Sequence, residues 1–161
     1  MGKEMTLQAR KRRLQDTLII AGAGVIAFSV WGIAKAMLLF ALSDESQLRQ
    51  MLAIDDSIPM AVIFIITVVM VVIDWIVRAY VGLSARAEGR GKKKSPFYLI
   101  VAAIAALVNA FSVVTVLLGT ARSLSFADAV VSFVIEATAF VALVMVIYCS
   151  VRLRRLGKAT G

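Results

Sequence analysis

The chain has 161 residues, 61 % of them hydrophobic and 17 % charged, with 18 Lys and Arg against 10 Asp and Glu. That apolar share stands well above the roughly 45–50 % of a soluble domain, which excludes a soluble enzyme, a disulfide scaffold and a disordered basic tail. With one cysteine, Cys149, and no histidine, the chain cannot form an internal disulfide, an imidazole or paired-thiolate metal site, or a histidine-based catalytic triad.

The charges gather in short blocks between four apolar runs, each exceeding the roughly 20 residues that an α-helix needs to cross a bilayer. No run alternates polar with apolar residues, which argues against a β-barrel. The expected fold is all-α: a polytopic membrane protein, a four-transmembrane-helix bundle with short loops, forming a single integral membrane domain over residues 1–161.

The start is basic, with Lys3, Arg10, Lys11, Arg12 and Arg13, and residues Thr6 to Leu14 extend the first helix past the membrane. Met1 to Thr6 match the loose myristoylation pattern, but four short-looped helices look bacterial, so lipidation is not expected. The first span, about Thr17 to Leu42, is too long for the apolar region of a cleaved leader and carries Lys35 inside it. Lys35 lies beyond the helix middle, where its stem can snorkel to the outer interface or turn inward toward an acid. Gly22, Ala23, Gly24 and Ala27 make this helix one that a neighbour can approach closely. In the connection from Ser43 to Ile58, Leu48, Met51 and Leu52 have helical spacing, so the segment reads equally as a surface amphipathic helix or an irregular loop.

The second span, about Met60 to Gly82, opens at Ser57 and Pro59. Asp74 and Arg78 stand four apart, acid before base, and are expected to pair along the helix as a structural ion pair. Trp75 and Tyr80 beside them, like Phe97 and Tyr98 on the next helix, have the look of an interfacial aromatic belt. Residues 83–96 read as a basic loop whose Arg86, Arg90, Lys92, Lys93 and Lys94 meet anionic lipid headgroups. Its Gly-Arg-Gly-Lys-Lys-Lys run lacks the spacing of a phosphate-binding loop, and without interleaved aromatics it does not indicate nucleic acid.

The third span, about Phe97 to Gly119, begins at Ser95 and Pro96 and carries Ala102, Ala106 and Ala110 at intervals of four, with Ala103 and Asn109 beside them. The fourth, about Phe126 to Val151, starts with capping-box spacing between Ser125 and Asp128 and contains Glu136. Asn109 and Glu136 stand equally far from the turn near residues 122–123, so an antiparallel hairpin sets them level near the midplane. A carboxyl group at that depth is expected to be protonated, hydrogen-bonded to an amide or paired with an amine such as Lys35. Glu136, Asn109 and Lys35 are therefore the candidate intramembrane polar site, either a structural tie between helices or a place for a substrate, an ion or a proton.

Three segments, the start, the middle connection counted from Arg78, and the end with Arg152, Arg154, Arg155 and Lys158, hold 15 of the 18 cations. The other two connections hold Arg49 and Arg122 among Asp44, Glu45, Asp55, Asp56 and Asp128. The positive-inside rule then puts both termini and the middle loop in the cytoplasm, with the protein expected in a cell membrane, the bacterial cytoplasmic membrane. The excess of cations is thereby a record of orientation.

No motif is specific to a family, and none indicates a cofactor. The sequence favours a non-enzymatic accessory or scaffold subunit that associates with its own copies or with another membrane protein. The alternative is an oligomeric transporter or channel lined by Glu136, Asn109 and Lys35. A membrane enzyme using Glu136 or Asp74 on a lipid is the least favoured class, because no set of polar groups converges at an interface.

Overall fold

The computed structural model describes residues 2–42, 58–119 and 126–159, and every regular element among them is an α-helix. In chain order these are α1 (Gly2–Leu42), α2 (Met60–Gly89), α3 (Phe97–Gly119) and α4 (Phe126–Ala159). All four contain a stretch long and apolar enough to cross a membrane. Ser125 and nearly all of the Ser43 to Ile58 connection, with the surface helix and the capping box expected there, lie outside the described residues.

Three helices outrun the spans expected of them. With 41 residues α1 rises about 60 Å, twice the roughly 30 Å of bilayer hydrocarbon, so a basic stretch of helix projects beyond the apolar zone. The projecting residues, among them Leu7, Gln8, Ala9, Arg10, Lys11 and Arg12, are good helix formers that need no packing partner. Helix α4 runs to Ala159, past the expected Val151. Helix α2 continues to Gly89, so residues 83–89 are helical and the basic connection shrinks to residues 90–96. It stops there because Gly91 adopts the left-handed conformation, φ 82°, which costs a glycine little. The amide of Lys92 then donates to Ala87 O and that of Gly91 to Glu88 O, a Schellman ending. On α3 the expected start is in place, with Ser95 Oγ accepting from the Phe97 amide at 3.3 Å.

Neighbouring helices run antiparallel, with α1 against α2 and α4, and α3 against α4; α2 and α3 touch less. Small residues set the α1–α2 crossing. A Cβ on Gly82 would lie 2.6 Å from Gly22 O and from Ile26 Cγ1, and one on Gly89 would lie 2.7 Å from Ile19 Cγ1. Gly82 and Gly89 are seven residues apart, as are Ile19 and Ile26, so two isoleucines of α1 fill two glycine hollows of α2 on a heptad repeat. The same antiparallel register continues to the far end, where the Phe40 and Phe64 rings meet edge to face at 5.1 Å.

Among the described residues the main buried cluster sits in one half of the molecule. Leu18 and Val25 of α1, Val81 and Ala85 of α2, Tyr98, Ala102 and Ala106 of α3, and Leu143, Val146, Cys149 and Leu153 of α4 form one buried cluster. All lie toward the end where the basic segments gather. Of the expected alanine stripe, Ala102 and Ala106 are buried in this core and Ala103 faces outward. Toward the other end, α1 and α2 enclose a cavity of about 420 Å³ lined by residues such as Met37, Phe40, Phe64 and Val71.

Candidate functional site

Asn109 of α3 and Glu136 of α4 meet as their equal distance from the turn implies: Asn109 Nδ2 donates to Glu136 Oε2 at 2.9 Å. Asn109 is 1 % exposed, and its Oδ1 is buried without a hydrogen-bond partner. The side chain of Lys35 lies outside the described residues. Gly24 faces Ala142 across the antiparallel α1–α4 contact, a register that sets Glu136 level with about Val30. The Lys35 backbone is then roughly one and a half turns farther along, about 7 Å. On α2, Arg78 Nε lies 2.8 Å from Asp74 Oδ2, an i, i+4 pair with the arginine the more buried partner. Of the residues expected in an aromatic belt, Trp75, Tyr80 and Phe97 are exposed on the outer surface.

Tyr98 departs from that expectation. It is 1 % exposed, and its hydroxyl turns inward to a polar cluster at the basic end. There Arg154 Nε donates to Glu88 Oε1 at 2.8 Å and Arg154 Nη2 to Glu88 Oε2 at 3.0 Å, a bidentate fork. The Tyr98 hydroxyl donates to the same carboxylate. Having given its one proton there, Tyr98 accepts from Ser150 Oγ, 2.6 Å away. Arg154 Nη2 also donates to the Lys94 carbonyl at 3.1 Å, and its guanidinium carbon lies 5.7 Å from the centroid of the Tyr98 ring. One carboxylate thus ties the last turn of α2 to the first of α3, the connection between them and the end of α4.

Sequence reasoning missed this cluster. Glu88 is the one acid in a run of cations, and Arg154 sits in a block of charge that already has a topological reason to exist. The signal that was available is the helical continuation itself: with Ser84 and Ala85 buried, an i, i+3, i+4 extrapolation turns Glu88 inward too.

The five residues expected to touch lipid headgroups do not form one loop. Arg86 is helical, its stem packs close to Gly22, and its Nε is buried without an acceptor. Arg90, Lys92, Lys93 and Lys94 are exposed in the turn that follows. Leu83, Arg86, Ala87, Arg90 and Lys92 surround a cavity of about 140 Å³. Among the described residues no three His, Cys, Asp or Glu side chains assemble as metal ligands.

The Asn109–Glu136 geometry gives a first prediction. A glutamine at 136 keeps an acceptor for Asn109 Nδ2 and adds a donor for the unpaired Oδ1, so Glu136→Gln is expected to leave the unfolding midpoint in detergent unchanged or raised. Glu136→Leu strands the buried amide and is expected to cost about 1 kcal/mol. Equal losses in the two variants would contradict the pairing. No protein-family model matches the chain, and no curated protein or solved structure is significantly similar to it.

Proposed function

We propose that this is a non-enzymatic membrane subunit that acts by lateral association, with copies of itself or with another membrane protein. The observation that carries the reading is the disposal of polar groups: Asn109 with Glu136, Asp74 with Arg78, and Glu88 with Arg154, Tyr98 and Ser150. Two of these groups tie helices together and the third pairs along α2, so among the described residues few polar side chains remain to line a path or bind a substrate. The apolar opening between α1 and α2 is the face such a partner would cover. The charge distribution favours a cytoplasmic position for both termini and for residues 90–96, in a cell membrane whose inner leaflet is anionic.

Extraction of native membrane patches with amphipathic polymer, followed by single-particle mass measurement, is expected to give a discrete species larger than the monomer that survives dilution. Lone monomers would overturn the proposal. One observation favours the transporter reading: Asn109 Oδ1 is buried and unpaired beside a half-buried Glu136. A proton-linked or ion flux in liposomes, abolished by Glu136→Gln in a folded protein, would establish that reading instead.

A further inference from the structure

We infer that the cavity at the end of α2 is a binding site for the phosphate group of a single anionic phospholipid, held by Arg86, Arg90 and Lys92. This sharpens the general headgroup contact expected of a basic segment and rests on the basic end facing an anionic leaflet. Three cations and two apolar residues, Leu83 and Ala87, line a space of about 140 Å³, and no acidic side chain lines it.

The placement follows from the helix ending. Leu83, Arg86, Ala87 and Arg90 share one face of α2 by i, i+3, i+4 spacing. Lys92 would leave that face if the chain went straight on, but the left-handed Gly91 folds it back, and the bond from the Lys92 amide to Ala87 O fixes it over the last turn. A helix C-terminus ordinarily repels an anion through its unpaired carbonyls. Here the carbonyls of Arg86, Ala87 and Glu88 accept from the amides of Arg90, Lys92 and Gly91, so the last turn presents few free acceptors. The nearby carboxylate of Glu88 is engaged by Arg154 and Tyr98.

Arg86 supplies an observation independent of the cavity. Its Nε is buried with no acceptor among the described residues, a state that costs free energy, and turning the guanidinium toward an anion in the cavity that this side chain lines relieves it. Leu83 is exposed on the membrane side of the cations and offers apolar surface for the first part of an acyl chain. Lys93 and Lys94, although adjacent, do not line the cavity.

The test uses the full chain in neutral detergent, with bound lipid counted by native mass spectrometry and the unfolding midpoint measured in parallel. Phosphatidylglycerol is expected to bind more tightly than phosphatidylcholine. Arg90→Gln with Lys92→Gln should weaken phosphatidylglycerol at least about tenfold, while Lys93→Gln with Lys94→Gln, an equal loss of charge, should change it less than about twofold. Both pairs remove exposed side chains, so the lipid-free midpoint should hold. Leu83→Asn should weaken the lipid and leave inorganic phosphate unaffected. Equal weakening by the two pairs would replace the site with diffuse attraction. Competition by inorganic phosphate at the lipid's own concentration would make the occupant a soluble phosphate and overturn the lipid assignment. Because binding is read in detergent, its failure is separate from any failure of the association proposed above.

Discussion

Arg154→Ala is expected to destabilise the folded protein by about 3 kcal/mol or more, and to cost more than Glu88→Ala. The asymmetry follows from burial. The Glu88 side chain is 9 % exposed and the Arg154 side chain 28 %. Removing the arginine leaves a carboxylate in the interior with one hydroxyl donor, Tyr98; removing the glutamate leaves a guanidinium that reaches water and keeps its bonds to the Lys94 and Ser95 carbonyls. Arg154→Lys should recover only part of the loss, because an ammonium has no planar fork to match both carboxylate oxygens. Replacing both residues by leucine should be milder than Arg154→Ala, since neither charge is then stranded. Unfolding in mixed micelles, followed by circular dichroism, gives the four values. A double leucine variant no more stable than Arg154→Ala would mean that the stranded carboxylate is not the source of the loss.

The same cluster shows where the sequence stops being informative. Four spans are legible because crossing a bilayer imposes a length and a charge limit on any helix that does it. The level of Asn109 with Glu136 is legible because a short turn converts distance along the chain into depth. Glu88 and Arg154 are 66 residues apart, on segments whose charge has a sufficient cause in topology, and no periodicity links them. Tyr98 misleads for a related reason: an aromatic residue at the start of a span fits a belt, and only the position of α4 decides that it faces Ser150. The stripe of small residues on α1 is visible as a stripe, but its partner helix and its register are not.

Gly82→Val is expected to have the other large effect. The glycine faces α1 so closely that even a methyl group would meet the Gly22 carbonyl oxygen, which is backbone and cannot rotate away, together with the stem of Ile26. The helices must separate, and separation withdraws Ile19 and Ile26 from their hollows and loosens the contacts of Leu18 and Val25 with Val81 and Ala85. Gly82→Ala should therefore cost about 1–3 kcal/mol, the usual range for overpacking, and Gly82→Val more. Gly22→Ala should behave like Gly82→Ala, because its Cβ would lie 2.8 Å from the Gly82 carbonyl oxygen. Gly32→Ala meets nothing within 4 Å and gains helix propensity, so it should be neutral or slightly stabilising. The two costly alanines should add to less than their sum, since the displacement that accommodates one accommodates the other. Unfolding midpoints of the five variants in detergent test this, and equal behaviour of Gly82→Ala and Gly32→Ala would show that the close crossing does not hold α1 to α2.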